Sequence, residues 1–306
     1  MLLIEEKQIP IQIDLMPMRS YGDKPVEFTR KVRGGLLPAL TVRREDGREQ
    51  TITESQVIME LLDEWHSVEE GFKPMLPPVE DGVNGARYQT LARLERDLFS
   101  WWCTLLFRPE GPMSGGGGGL MGMLTGGGGK QMSGAMRGFL ECLDRVEAEL
   151  RSTSGPWFFD FATHPTMIDF IYVSHVERML ASVAYWKGLN LRSEELRTNR
   201  FQALNAWLEA FEQRECYLAY KSDYYTHVKD IPPQYGPGYF GGLDGTFVLN
   251  AIGEFWMCYF SDNTDVCQLI DSYFLEQKEF EQMITGKVRS NKSFSIFPLV
   301  LFQPIL

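Results

Sequence analysis

Residues 34–40, GGLLPAL, and residues 53–58, TESQVI, carry much of the information in this 306-residue chain. The first segment is a short apolar run between glycines and a polar turn, which predicts a strand. Pro38 has no N–H to give to a sheet, so it marks either an edge or a cis peptide bond. If Leu37 presents its own N–H and C=O outward, it can pair with the backbone of an extended peptide.

The second segment has the pattern of a helix start. Thr53 followed three residues later by Gln56 has the form of a capping box and predicts a helix over residues 55–65. The Ser55 hydroxyl and the free N–H groups of the first turn would hold a carboxylate, while Glu54 would receive an ammonium group. The segment therefore suits the two ends of an amino acid. An ordinary strand, turn and capped helix explain the same residues, because capping boxes are common.

The order of elements over the first quarter of the chain is more specific than either segment alone. The pattern predicts the end of a helix, a strand, a helix, two strands and a helix, at residues 2–10, 11–14, 26–32, 36–42, 50–53 and 54–65.

This order resembles the N-terminal domain of glutathione transferases, which has a thioredoxin-like α/β fold. The resemblance implies that Leu37 pairs with the cysteinyl backbone of glutathione and that Pro38 is a cis proline. It also implies that Glu54 and Ser55 hold the γ-glutamyl end. Glutathione is thus the co-substrate that the sequence predicts.

The chain departs from the family pattern in two places. Family members often carry a basic residue two or three positions before the proline, where Gly35 and Leu36 stand here, and Arg33 or Lys31 would have to replace it. The family's first strand, and the loop after it that carries the catalytic Tyr, Ser or Cys, would precede Met1. No catalytic residue is therefore assigned within the chain, and a domain truncated at its N-terminus is the expectation.

The absent first strand is an interior one in the family's sheet. Without it, the predicted strands at residues 11–14 and 36–42 would lose their shared neighbour and keep unpaired backbone groups. The apolar run at residues 294–306 could lend a strand, but Pro298 and Pro304 argue against a long one.

Composition is that of an intracellular globular protein with two cores. Hydrophobic residues make up 44% of the chain, and the net charge of −11 disfavours nucleic acid and anionic membrane surfaces as partners. No apolar run approaches the ~20 residues needed to span a bilayer, and no signal peptide is recognisable. We expect a protein of the cytoplasm or plastid stroma, and any targeting segment would be missing from this chain.

Cysteine and histidine are scattered along the chain. The cysteines are odd in number and form no CxxC pair, and no histidines share metal-ligand spacing, so neither a disulfide framework nor a metal site is expected. The residues are Cys103, Cys142, Cys216, Cys258, Cys267, His66, His164, His175 and His227.

After a linker at residues 73–78 the pattern becomes helical. It predicts an all-helical domain over residues 79–236, larger than the α/β domain at residues 1–72. The apolar residues that recur at helical spacing are Leu91, Leu94, Leu98, Trp101, Trp102 and Leu105, then Met136, Phe139, Leu140, Leu143, Val146 and Leu150, then Leu204, Trp207, Leu208 and Phe211.

Thr166 and Asp169 form a further capping pattern, at the start of an apolar helix that runs to about Tyr185. The pair resembles the capping box that glutathione transferases place at the start of the central helix of their C-terminal domain. Its role there is in folding.

Residues 177–188 and 221–227, with the Pro-Pro-Gln segment at residues 232–234, resemble a glutathione transferase-like group of cyanobacteria and plastids. Aromatic residues in this region either line an electrophile site or pack in the core, and packing is the more common role. They are Tyr217, Tyr220, Tyr224, Tyr225 and His227.

Two segments lie outside the resemblance, an insertion that the family does not need and a tail that gives no clear reading. Residues 111–134, rich in glycine and methionine, contain a GxGxxG pattern from Gly117, but no βαβ unit surrounds it, so a flexible insertion is favoured over a dinucleotide site. A phosphate loop at Lys130 is excluded because Gln131 stands where a Ser or Thr would bind magnesium. The tail at residues 237–306 gives no interpretable pattern.

The sequence therefore predicts a glutathione transferase-like protein, mostly helical. The thiolate of glutathione would attack a small electrophile or a mixed disulfide, as in detoxification. A Ser or Tyr before Met1 would indicate conjugation, whereas a Cys there would indicate thiol exchange. The alternatives are a non-catalytic module that binds a ligand or partner through the same fold, and a purely structural helical domain. The resemblance also implies a homodimer.

Overall fold

The computed structural model describes residues 1–16, 24–43, 46–109, 133–239 and 299–304. These residues form a small mixed sheet with short helices and a larger assembly of helices. The architecture is a small α/β part followed by a larger helical part, as the sequence predicts.

The sheet has four strands in the order β1-β4-β2-β3. Strands β2 and β3 form an antiparallel hairpin, and β4 lies between β1 and β2, antiparallel to β1 and parallel to β2. Strand β2 begins three residues later than the sequence predicts, since the cis Leu37–Pro38 bond lies just before it. The strands are β1 (Ile11–Met16), β2 (Ala39–Arg43), β3 (Glu49–Thr53) and β4 (Leu299–Pro304).

Strand β4 answers the question that the sequence leaves open about residues 294–306. Six of these residues pair with all of β1, in a register that joins Ile11 to Pro304 and Asp14 to Leu301. Leu301 also pairs with Ala39 of β2. Pro304 is the last residue of the strand, where a missing N–H interrupts nothing further along. Strands β1 and β2 thus have a shared neighbour, supplied by the far end of the chain.

Three helices accompany the sheet. They are α1 (Leu2–Lys7), α2 (Val26–Lys31) and α3 (Ser55–Trp65). Leu3, Ile58 and Leu62 are buried in the core that continues into the helical part, while Phe28 and Val32 form a smaller core with Ala39. Strand β2 therefore contributes to both cores, through Leu40 to the larger one and through Ala39 to the smaller one.

The helical part contains seven helices among the described residues. Two of them, α4 and α5, are joined by residues 108–133, most of which lie outside the described ranges, as does the predicted insertion. The helices are α4 (Gly82–Phe107), α5 (Gly134–Arg151), α6 (Met167–Lys187), α7 (Glu194–Asn199), α8 (Gln202–Glu212), α9 (Glu215–Leu218) and α10 (Tyr224–Tyr235).

The predicted apolar faces are buried, with one exception. Trp101 is 39% exposed, whereas its neighbour Trp102 is 1% exposed and donates its indole N–H to Ser182 Oγ at 2.8 Å. The Trp101 ring instead covers Gly138 of α5, where an added Cβ would come within 2.6 Å of the ring. Glycine at that position lets the two helices approach closely.

Asp169 holds the start of α6 together, as the Thr166–Asp169 pattern predicts. The N–H and the hydroxyl of Thr166 each donate to Asp169 Oδ2 at 2.8 Å, and the two residues form a capping box. Asp169 Oδ1 accepts from the Phe158 N–H at 3.2 Å and from Trp207 Nε1 at 2.9 Å. One fully buried carboxylate therefore ties α6 to α8 and to the loop before α6.

The last helix described in the helical part is α10. Helix α10 contains Pro232 and Pro233, and its last residue, Tyr235, stacks on Phe107 with ring centroids 5.6 Å apart. No helix in the described ranges is long and apolar enough to cross a membrane.

Substitution of Asp169 by Asn tests the buried carboxylate. All four of its partners donate, so an amide NH₂ would meet a donor on at least one side. We expect the free energy of unfolding to fall by about 3 kcal/mol or more, measured by urea denaturation. Asp97→Asn, which removes an exposed ion pair with Arg145 at 3.5 Å, should cost under about 1 kcal/mol. Equal effects of the two substitutions would contradict this role.

Substitution of Leu301 by Pro tests β4. A proline in the middle of a strand with neighbours on both sides removes a backbone donor and disrupts the ladder. Amide hydrogen exchange should become roughly tenfold faster or more in β1 and β2. The control is Glu194→Pro, at the first residue of α7, where proline is tolerated. Unchanged protection of β1 in the Leu301 variant would show that β4 does not pair there.

Candidate functional site

A cavity of about 900 Å³ lies between the α/β part and the helical part. The start of α3 and the first residues of α1 form one wall. Helices α4 and α6 form the wall facing them, and the segment from Tyr217 to Asp230 closes one end. A cavity of this size holds a small organic molecule, and such sites commonly lie where two structural units meet.

The structure brings two of the four predicted site residues to this cavity. Glu54 and Ser55 line it, whereas Leu37 and Pro38 do not. The sheet register nevertheless places Leu37 and Pro38 at the same end of the hairpin as Glu54 and Ser55. The reason is that the start of β2 lies opposite the end of β3. Within the described ranges, the N–H and C=O of Leu37 form no backbone hydrogen bond.

The start of α3 differs from the predicted capping box. The N-cap is Glu54, not Thr53, and no side chain caps the first turn. Thr53 remains in β3, paired with Ala39, and Gln56 donates its side-chain amide to Glu60 at 2.9 Å instead of reaching back. The first N–H groups of α3 are therefore left open at the cavity wall, where a helix N-terminus favours an anion.

Glu54 has an unusual backbone conformation. Its φ of 75° lies in a region that residues other than glycine rarely adopt. Such strain costs of order 1–3 kcal/mol and concentrates at functional sites. Both Glu54 and Ser55 are exposed to solvent at the cavity.

A buried charge cluster fixes the two parts of the molecule around the cavity. Glu6 of α1 is 4% exposed and accepts from Arg214 Nε at 2.9 Å and from Lys73 Nζ at 2.5 Å. Arg214 also lies over the Trp157 ring, 5.8 Å from its centroid. Burial alone would raise the pKa of Glu6, but the hydrogen bonds from Arg214 and Lys73 bring it below its usual value.

A second charge cluster lies on the helical wall. The carboxylate of Glu95 in α4 is buried, and its Oε1 lies 2.6 Å from His175 Nδ1 of α6. Arg96 Nε donates to the other oxygen at 2.6 Å. The His175 ring packs against Phe99 with centroids 4.9 Å apart. The Glu95 carboxylate thereby joins α4 to α6 at the cavity wall.

The predicted aromatic cluster divides between packing and cavity. Tyr217, Tyr220 and His227 line the cavity, whereas Tyr224 lies outside its lining and the Tyr225 side chain is outside the description. Tyr217 does both, since it is 2% exposed and also packs against the ring of Phe211 at 5.2 Å.

The described cysteines do not serve this cavity. Cys103, Cys142 and Cys216 are free thiols and none of them lines it. Burial raises the pKa of Cys103 and of Cys142 to about 11, so both stay protonated at neutral pH. Cys258 and Cys267 lie outside the described residues. Within the described ranges, no group of three or more His, Cys, Asp or Glu side chains could hold a metal ion.

Sequence reasoning missed the polar residues of the helical wall, although a signal was present. Glu95 falls on the same face of α4 as Leu94 and Leu98. On α6, Glu177 likewise lies beside an apolar residue, Val176. A charged residue on an otherwise apolar helix face is seldom buried without a partner, and it points to a polar site.

Family comparisons agree with this geometry. Residues 1–65 match the family described as glutathione S-transferase, N-terminal domain, and residues 129–210 match glutathione S-transferase, C-terminal domain. No curated protein matches the chain at a significant level.

Solved structures of similar fold include glutathione transferases. A trimeric glutathione transferase from Leishmania has a TM-score of 0.50 and 16% identity over 75% of this chain, which spans 44% of that protein. A rice glutathione transferase in complex with glutathione has a TM-score of 0.49 and 20% identity, covering 74% of this chain and 86% of that one. A dehydroascorbate reductase from Chlamydomonas reinhardtii has a TM-score of 0.45 and 16% identity, covering 75% and 85%.

Substitution of Glu6 by Gln tests the charge cluster between the two parts. Because the pKa of Glu6 is lowered on folding, its contribution is present above the unfolded value and is lost as the pH falls through the folded one. At pH 7 we expect the free energy of unfolding of the variant to be about 3 kcal/mol lower than that of wild type. The difference from wild type should shrink below pH 4.5, the usual value for glutamate.

The control for this substitution is Glu209→Gln, which removes an exposed ion pair with Arg197 at 3.2 Å. It should have a much smaller effect in the same thermal and urea denaturation series. A stability difference between wild type and the Glu6 variant that stays constant from pH 7 to pH 3 would contradict the assignment.

Proposed function

The chain belongs to the glutathione S-transferase family, and from this premise we propose that it binds glutathione at the start of α3. The thiol of the bound glutathione would then react with a small molecule in the adjoining cavity. The observation that carries the proposal is the uncapped N-terminus of α3, which opens with Glu54 and Ser55 onto a cavity of about 900 Å³. That end of the helix offers hydrogen-bond donors next to an exposed carboxylate.

The four predicted residues would divide the tripeptide between them. The α-carboxylate of the γ-glutamyl end would accept from the Ser55 hydroxyl and from the open N–H groups of α3, while its ammonium group would meet Glu54. The cysteinyl backbone would pair with the N–H and C=O of Leu37, the residue before Pro38. The register of β2 and β3 supports this division, since it places both pairs at one end of the hairpin.

Two reactions fit a thiol held at this position. In conjugation the thiolate attacks a carbon electrophile, a C–S bond forms and the leaving group departs with its electron pair. In exchange the thiolate attacks one sulfur of a mixed disulfide, the S–S bond breaks and the other thiolate leaves. In both reactions the attacking sulfur of this proposal is that of glutathione; the described cysteines, Cys103, Cys142 and Cys216, do not line the cavity.

Three further properties are proposals of the same kind. We expect a homodimer, a location in the cytoplasm or plastid stroma, and membership of the cyanobacterial and plastid group that residues 177–188 and 221–227 resemble. The domain boundaries at residues 72 and 79, and the end of the helical domain at residue 236, are likewise retained as proposals.

Substitution of Glu54 and Ser55 together by Ala tests the binding site. Removing two charge-assisted hydrogen-bonding groups should raise the Kd for glutathione roughly tenfold or more, measured by titration calorimetry. Glu64→Ala, an exposed residue of the same helix, should leave the Kd unchanged. An unchanged Kd in the double variant would place glutathione elsewhere.

Turnover is measured separately from binding. Wild-type protein is assayed with glutathione and either 1-chloro-2,4-dinitrobenzene, a carbon electrophile, or hydroxyethyl disulfide. Activity with one of them identifies the reaction class. Binding of glutathione with no turnover of either would support the non-catalytic module instead.

A further inference from the structure

His175 of α6 lines the cavity, and its two ring nitrogens have different surroundings. Nδ1 lies 2.6 Å from the buried carboxylate of Glu95 on α4. Nε2 forms no hydrogen bond within the described ranges, and it is not among the fully buried atoms there that lack a partner. The side chain is 25% exposed, so a molecule in the cavity can reach Nε2. The Nε2 of His227, the other histidine of the cavity, is fully buried.

The Glu95 carboxylate holds the ring of His175 in this position. Arg96 Nε donates to the other oxygen of that carboxylate at 2.6 Å. Arg96 Nη2 also lies 3.4 Å from His175 Nδ1, which is a longer contact than the one with Glu95. Phe99 packs against the ring with centroids 4.9 Å apart. A buried carboxylate that binds one nitrogen of an imidazole, and leaves the other nitrogen open to a substrate, is typical of a histidine base.

The hydroxyl protons of the two cavity tyrosines are already engaged. Tyr220 donates to Glu5 Oε1 at 2.8 Å, and Tyr217 is a hydrogen-bond partner of Glu177. Burial, followed by the hydrogen bond to Glu5, raises the pKa of Tyr220 to about 12. Burial, followed by the Glu177 carboxylate, also raises the pKa of Tyr217. Both hydroxyls therefore stay protonated at neutral pH, and neither is open to take a proton from a ligand.

The cavity is wide enough for a tripeptide to reach from α3 to His175. A volume of about 900 Å³ corresponds to a sphere roughly 12 Å across, and two residues of extended chain span roughly 7 Å. If Ser55 holds the γ-glutamyl end of glutathione, the cysteinyl side chain lies within reach of the facing wall. That wall is formed by α4 and α6 and includes His175.

We propose that His175 is the base that takes the proton from the thiol of bound glutathione. This inference rests on the proposed function, since it needs glutathione in the cavity. Nδ1 would donate to Glu95, because an ionised carboxylate can only accept, and Nε2 would accept the thiol proton. The S–H bond breaks, an N–H bond forms at Nε2, and the electron pair stays on the sulfur.

The same proton completes either of the two reactions. In exchange, the imidazolium returns it from Nε2 to the thiolate that leaves the mixed disulfide. In conjugation, the proton passes to water, since the leaving group departs with its own electron pair. His175 is then neutral again for the next glutathione. Glu95 acts as a positioning residue that also stabilises the imidazolium.

The charges next to His175 favour this transfer. Before it, Glu95, Arg96 and a neutral ring have no net charge together; afterwards they are cationic and lie beside an anionic sulfur. A nearby positive charge stabilises a thiolate. The other titratable or charged residues that line the cavity are Glu54 before α3, Arg93 and Asp97 of α4, Glu177 and Arg178 of α6, and Tyr217, Tyr220, Lys221, His227 and Asp230 of the segment that closes one end.

The ultraviolet absorbance of the thiolate tests the proposal. Wild-type full chain is saturated with glutathione and the pH is varied. We expect the bound thiol to ionise roughly one pH unit or more below free glutathione. In His175→Gln the midpoint should return to that of free glutathione. Glu95 keeps its pairing with Arg96 in this variant, so we expect it to fold, as a thermal melt will show. Equal midpoints in wild type and variant would overturn the proposal.

Nitrogen NMR of the imidazole locates the proton directly. Nε2 of His175 should become protonated when glutathione binds at neutral pH. S-methylglutathione has no thiol proton, so its binding should leave Nε2 as it is in the free protein. Protonation of Nε2 by both ligands, or by neither, would contradict a proton transfer from the thiol.

Turnover and binding together separate a base from a structural role. His175→Gln should lower kcat by about 100-fold or more, as loss of a general base does, and leave the Kd for S-methylglutathione unchanged. Glu95→Gln should shift the thiolate midpoint in the same direction as His175→Gln. The matched control is His66→Gln, a histidine outside the cavity lining, which should change neither kcat nor midpoint. A parallel loss of S-methylglutathione affinity and kcat in His175→Gln would indicate a structural role and reject the base.

The two proposals fail in different ways. If wild type binds no glutathione, both are rejected. If wild type binds glutathione but its thiol ionises at the same pH as in free glutathione, the base is rejected and the binding site at the start of α3 stands.

Discussion

The carboxylate of Asp169 is the contact on which the rest of the helical part depends. Four donors from three segments converge on its two oxygens, and the neighbouring Met167 N–H donates to the Met75 C=O of the linker at 2.9 Å. The start of α6 is thereby joined to α8, to the loop before it and to the linker. The orientation of helix α6 is set at this point, and with it the positions of His175 and Glu177, which both lie about two turns further along.

A second constraint acts between the two parts. Glu6 brings α1, the linker and the α8–α9 turn together through Lys73 and Arg214. The cavity is built from both parts, so its shape depends on this contact as much as on the residues that line it. The wall formed by α1 and α3 and the wall formed by α4 and α6 would otherwise be free to separate, since a site shared by two units is only as well ordered as the interface that joins them.

Local patterns in the sequence were sufficient for most of the helices and for the family. The apolar spacing of α4, α5 and α8, the Thr166–Asp169 pair and the segment GGLLPAL all depend on neighbouring residues, and the structure agrees with each. The proposed capping box at Thr53 was wrong because a sheet contact prevailed over a local one. Thr53 pairs with Ala39 and stays extended, so the cap moves to Glu54.

The rest required contacts between distant residues. The sequence allowed a strand within residues 294–306, but its pairing with β1 and β2 could not be predicted because those strands lie near the other end of the chain. The helical side of the cavity draws on α4, α6, α9 and α10, and no spacing rule connects those segments. Two sets of assignments remain predictions. The assignment of Leu37, Pro38, Glu54 and Ser55 to glutathione concerns a bound ligand. The domain boundaries concern two parts that are joined by the contacts of Glu6.

Strand β4 also sets the order in which the molecule can be completed during synthesis. Strands β1 and β2 emerge from the ribosome well before their shared neighbour, because Ile11 pairs with Pro304, which lies about 290 residues further along the chain. At roughly 5–20 residues per second, the early strands wait on the order of 15–60 s for it. The helical part can fold in that interval, whereas two exposed strand edges need protection from other chains. Until β4 is made, these edges carry unpaired N–H and C=O groups with which another chain can pair.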